Sequence, residues 1–124
     1  MIALDTSSVI AFFAGDEGAD RIAVREVLIN GTAVFPPVVV TELLSHPLFR
    51  QEVLSAVASV PQLVISQGYW QRAGELRARI RRRGLKARLA DALIAQSCLD
   101  HDVALITRDQ DFRHFVRHAG LRLR

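Results

Sequence analysis

The chain has 124 residues, 50% of them hydrophobic, enough for one domain, spanning residues 1–124, with a filled core and no need of disulfides or a structural metal. Its lone cysteine, Cys98, excludes a disulfide framework and a cysteine zinc site and fits a reducing compartment, so a cytoplasmic protein is expected. The net charge of +3 is modest; the start Met1-Ile2-Ala3-Leu4-Asp5 has no basic leader, and no run of about 18 apolar residues occurs, so a soluble chain with no membrane partner is expected.

Strand and helix patterns alternate along the chain, which predicts an α/β architecture with a mostly parallel sheet. Ile2 to Leu4 reads as the first strand, followed by a helix through Ser7 to Phe13. Gly15-Asp16-Glu17-Gly18 breaks it, and Asp16 or Glu17 is placed to cap a second helix carrying Ile22, Val24, Val27 and Leu28. Ala33 to Phe35 reads as the next strand. Pro36-Pro37 then opens a helix that holds Val38 to Leu44 and ends at His46-Pro47. A helix over Phe49 to Ser59 leads to a third strand at Leu63 to Ile65. Tyr69 to Arg83 follows as a long helix with Trp70, Ala73, Leu76 and Ile80 on one face, ended by Gly84. Arg88 to Asp102 is apolar nearly all round, a buried helix. Val103 to Ile106 is a central strand, Gln110 to His118 a short helix, and Leu121 to Leu123 a last edge strand.

Four acids sit where these apolar elements end or turn inward: Asp5, Glu42, Asp91 and Asp109. Capping accounts for Asp5 and Asp109 taken singly, because a short carboxylate satisfies free N–H groups at a helix start. Glu42 fits the polar edge of a half-buried helix. Asp91 resists such a reading: among Leu89, Ala90, Ala92, Leu93 and Ile94, an unpaired carboxylate costs several kcal/mol (roughly) or takes up a proton. Ligand sites of open α/β sheets lie beyond the carboxyl ends of the strands, where Asp5 and Asp109 fall. Carboxylates sharing one crevice repel each other, and a hard divalent cation relieves this; an all-oxygen set suits magnesium or manganese rather than zinc. Such ions handle phosphates, so phosphodiester hydrolysis is the chemistry implied. Arginine dominates the stretch from Arg72 to Arg88, and its planar fork suits a polyanion. The phosphate contacts are assigned to Arg81, Arg82, Arg83, Lys86 and Arg88, with Arg108 beside Asp109. An exposed basic helix face is the plain alternative.

These residues resemble the PIN-domain ribonucleases, in particular VapC-type toxins of bacterial toxin-antitoxin pairs. The likeness covers essentially the whole chain and rests on Ile2-Ala3-Leu4-Asp5-Thr6-Ser7, Val40-Thr41-Glu42-Leu43-Leu44, Leu89-Ala90-Asp91-Ala92-Leu93-Ile94-Ala95 and Thr107-Arg108-Asp109-Gln110-Asp111-Phe112. It implies a three-layer α/β/α sandwich around a sheet of about five strands, magnesium or manganese dependence and endonucleolytic cleavage of RNA. Asp5, Glu42, Asp91 and Asp109 match the family's metal-binding acids. Ser7 and Thr107 match hydroxyls that orient carboxylates or water; Asp111 neighbours Asp109 in the same motif and is the alternative to it, with Asp109 preferred and Asp111 read as a helix-start residue that assists. A homodimer silenced by a VapB-type antitoxin is also implied. The arginine-heavy stretch from Arg79 to Arg88 is a mild departure from the pattern.

Other readings are weaker. A PIN-like module that binds RNA or protein without cutting shares every motif, and metal affinity separates it from a nuclease. A receiver domain needs a phosphoacceptor Asp after the middle strand, where Ser66-Gln67 stands. A DNA-directed nuclease shares the phosphate contacts. His114 and His118 are flanked by Arg113 and Arg117 and read as a solvated basic face; Trp70 reads as core or interface, and Cys98 as a buried thiol. No P-loop, dinucleotide fingerprint or G-x-S-x-G elbow occurs.

Overall fold

The computed structural model describes residues 1–48 and 50–124. A parallel sheet of order β2-β1-β3 forms its centre, from β1 (Ile2–Leu4), β2 (Ala33–Val34) and β3 (Ala104–Ile106). Ile2 pairs with Ala33 on one side and Ala104 on the other. Successive strand residues face opposite sides of a sheet, and Ala3, Leu4, Leu105 and Ile106 are all fully buried. Both faces are therefore covered, as expected of a parallel sheet between helical layers.

The expected sheet of about five strands is shorter than predicted. Gln62 pairs with Phe35 and Leu123 with Leu105, each in one parallel bridge that flanks the three strands. Val64 is 74% exposed and Leu123 44%, so these edge segments meet the sheet once and then leave it, lacking a second neighbour to bury the alternate side chains.

Among the described residues seven α-helices surround the sheet: α1 (Thr6–Ala14), α2 (Ala19–Ile29), α3 (Pro37–Ser45), α4 (Arg50–Ser59), α5 (Tyr69–Arg82), α6 (Leu89–His101) and α7 (Arg113–Ala119). The predicted helix start at Phe49 lies outside the described residues. Gly15 ends α1 in the left-handed region (φ 76°), where a side chain would be strained. The cap of α2 is Gly18 rather than Asp16 or Glu17, without a side-chain bond. Proline at the first position of α3 lacks only an N–H that has no partner there. The predicted helix over Gln110 to His118 is split into a 3-10 turn, Gln110–Phe112, and α7.

On α5 the buried face runs through Tyr69, Ala73, Leu76 and Ile80, while Trp70 is 60% exposed. The i, i+4 step from Tyr69 to Ala73 places the tyrosine inward, and its hydroxyl donates to the Leu93 carbonyl at 2.6 Å. Trp70 is turned away by one residue's rotation and packs edge-on against Tyr69. Beyond its exposed first residue, α6 buries Asp91, Ala92, Ile94, Ala95, Gln96, Ser97 and Cys98. It packs against α3 and α5, which carries Asp91 and Glu42 toward the same end of the sheet. No helix among the described residues is long and apolar enough to cross a membrane.

Candidate metal centre

Because β1 and β3 are adjacent and parallel, Asp5 and Thr107, each one residue past its strand, emerge side by side at the carboxyl ends. Asp5 begins α1 as its N-cap in an extended conformation, yet its side chain makes no capping bond. Its Oδ2 instead accepts hydrogen bonds from Ser7 Oγ at 2.6 Å and from Thr107 Oγ1 at 2.7 Å. Thr107 Oγ1 also accepts the Asp109 N–H at 3.0 Å, so one hydroxyl ties the two strand ends together. Burial pushes the Asp5 carboxyl above its ordinary range, the two hydroxyls pull it back, and the charge of Glu42 pushes it up again.

Asp109 does cap a helix: its Oδ1 accepts the Asp111 N–H at 2.9 Å and starts the 3-10 turn. That turn swings Asp111 back toward α6. Carboxylate oxygens of Asp91, Asp109 and Asp111 lie within 4.8 Å of one another. Asp91, in the first turn of α6, is 7% exposed, and its buried Oδ2 has no hydrogen-bond partner. Burial first, then the charges of Asp109 and Asp5, push its carboxyl up to about 7, with Arg88 opposing. Glu42 stands outside the three-carboxylate group; it acts on Asp5 electrostatically, and its Oε1 accepts a 2.6 Å bond from Thr6 Oγ1.

The donor set fits a hard cation. Every atom offered is a carboxylate oxygen, three acids crowd within one ion's reach, and the buried Asp91 Oδ2 has no protein hydrogen-bond partner among the described residues. Among the described residues no histidine or cysteine joins the group, which disfavours zinc.

A PIN-domain family model matches residues 2–117. The chain belongs to the PIN-domain family. Its fold is similar to that of a chain in the Rickettsia felis VapBC2 complex bound to a promoter DNA fragment, with TM-score 0.73 and 22% identity over 100% of this chain and 98% of the other. The Mycobacterium tuberculosis VapBC-5 structure matches with TM-score 0.70 and 23% identity over 98% and 95%. FitAcB from Neisseria gonorrhoeae gives TM-score 0.70 and 17% identity over 99% and 96%. Comparison with curated proteins gave no match.

The cations of this PIN domain divide by what holds them. Lys86 Nζ lies 3.2 Å from Asp111 Oδ2, and that bond holds the Asp111 carboxyl below its ordinary range. Arg88 is the N-cap of α6 and exposed. Arg81 and Arg82 lie in the last turn of α5 and Arg83 at its C-cap, where positive charge opposes the negative helix end; all three are exposed. Arg108 is engaged elsewhere: it forks onto Asp20 at 2.8 and 3.0 Å and joins the loop after β3 to α2. Sequence reasoning passed over Asp20 and Thr6. The signal for Thr6 was present in its hydroxyl between Asp5 and Ser7, but its partner Glu42 lies 36 residues away.

Proposed function

We propose that this PIN domain is a magnesium- or manganese-dependent endoribonuclease, the toxin of a toxin-antitoxin pair, held by Asp5, Glu42, Asp91 and Asp109 with Asp111 beside them. The observation that carries the reading is the approach of carboxylate oxygens of Asp91, Asp109 and Asp111 to within 4.8 Å of one another, in a group whose Asp91 also has a buried Oδ2 with no hydrogen-bond partner. When bound, the ion supplies water activation and charge stabilisation for an in-line displacement at a phosphodiester. The chain's own groups do the rest. Ser7 and Thr107 fix the rotation of Asp5, and the Asp111 N–H fixes Asp109. Lys86, Arg88 and the Arg81-Arg82-Arg83 cluster hold backbone phosphates near the acids, while Arg108 contributes by bracing the loop of Asp109. Likeness to VapBC structures supports a VapB-type antitoxin, with a homodimer in the cytoplasm as the working form.

Manganese titrated into the purified chain, followed by incubation with single-stranded RNA and a matching DNA, tests this. Saturable binding and metal-dependent RNA cleavage, lost in Asp5→Ala, are the expected outcome; an intact RNA at saturating metal sinks the enzyme reading. One observation favours a PIN-like binding module without nuclease activity: Lys86 already neutralises part of the acid group through Asp111. Metal affinity weaker than millimolar, with RNA affinity retained, would select that alternative.

A further inference from the structure

Of the carboxylates assigned to the metal centre, three are fixed by means already described. Asp91 is a short side chain inside a buried helix, Asp109 is held by the Asp111 N–H, and Asp5 by two hydroxyls. Glu42 has one more rotatable bond, projects half-buried from α3, and loses side-chain freedom when it is ordered. Among the described residues its carboxylate has one hydrogen bond, from Thr6 Oγ1 to Oε1 at 2.6 Å. We propose that Thr6 is a positioning residue whose hydroxyl fixes the Glu42 carboxylate, which acts on Asp5 from outside the three-acid group, in readiness for the cation; this rests on the metal-centre reading above.

The local geometry makes the division of labour possible. Thr6 and Ser7 are the first two residues of α1, and consecutive helical residues point about 100° apart. Neighbouring hydroxyls therefore reach different targets: Ser7 serves Asp5, and Thr6 reaches across to α3, which packs against α1. A β-branched threonine is stiff at χ1, so it presents its hydroxyl in few orientations. Its bond to Oε1 leaves the other carboxylate oxygen of Glu42 available to a cation, the arrangement by which outer hydrogen bonds orient metal ligands.

The test is calorimetric titration of Mn2+ into the full chain without RNA. Thr6→Val keeps the shape of the side chain and removes the donor; it should weaken Mn2+ binding about tenfold, the lower range for loss of an outer partner. Thr6→Ser restores the donor and should recover most of that loss, which a packing role would not explain. In a Glu42→Ala background, Thr6→Val should change the affinity by less than about twofold, because the two residues act as one unit. Wild-type Mn2+ affinity in Thr6→Val, or an equal loss with and without Glu42, overturns the role. A wild-type chain that binds no Mn2+ overturns the metal centre itself and the positioning role with it.

Discussion

At the amino end of α6 Asp91 is buried beside two other carboxylates with one oxygen unbonded. Near the carboxyl end of the same helix, Asp100 accepts Arg72 through two bonds at 2.6 and 3.0 Å, Gln96 at 2.8 Å and Ser66 at 3.1 Å. The fold drives the two in opposite directions. Burial raises Asp91 to about 7, whereas the Arg72 bond, ahead of the cost of burial, holds Asp100 below its ordinary range. A half-buried acid given its own cation, as Asp100 is, is part of the scaffold. One placed among other acids has its carboxyl pushed up instead, an arrangement found more often at functional sites than in the scaffold.

The largest expected contrast is in catalysis. Asp91→Ala should lower metal-dependent RNA cleavage by roughly 10²–10³-fold or more, the scale of losing one aligned charge-stabilising group, while far-UV circular dichroism stays native. Asp100→Ala should leave cleavage and Mn2+ affinity near wild type. Equal losses in the two variants would erase the distinction between the helix ends.

Stability should separate them next, with signs reversed. In EDTA at pH 8, Asp91→Asn should raise the melting midpoint by about 3–6 °C by removing a buried, repelled charge, and Asp100→Asn should lower it by a similar amount. Both midpoints can be read by differential scanning calorimetry.

The pH dependence sharpens the same contrast. Asp91 has a folded-state pKa of about 7, above its ordinary 3.8, so between those values the native chain holds more protons than the unfolded one. Its contribution to metal-free stability therefore falls as pH rises through that window and is flat above it. Asp100 behaves in reverse: its stabilisation is present above the ordinary carboxylate value and is lost as pH falls through its lowered folded value. Thermal midpoints from pH 4.5 to 8 in EDTA should show a downward slope that Asp91→Asn flattens and Asp100→Asn does not.

The smallest effect belongs to the helix end itself. Asp102 caps α6 with a side chain 93% exposed and an ion pair to Arg122 at 3.0 Å. Solvent screens such a pair, so Arg122→Ala should move the midpoint by less than about 2 °C.

Much of this was readable in the letters. The three sheet strands follow from short apolar runs, and the placement of Asp91 inside an apolar helix already marked it as anomalous. Asp111 was less legible, since a carboxylate two residues from Asp109 reads as a helix-start residue until the 3-10 turn brings it within 4.8 Å of Asp91. Trp70 and Tyr69 are neighbours, and apolar spacing alone favoured the one that faces solvent. Arg108 read as a phosphate contact because its partner Asp20 is 88 residues away in sequence.

From the sequence alone came the alternating layers, the buried helix and the four acids, because periodicity and the cost of burying charge are local properties of the chain. Only the tertiary structure decided which carboxylates share an ion's reach, which hydroxyl holds each of them, and which arginines are already spent. Those outcomes depend on adjacent parallel strands and on pairings between residues tens of positions apart, where distance in sequence carries no information about distance in space.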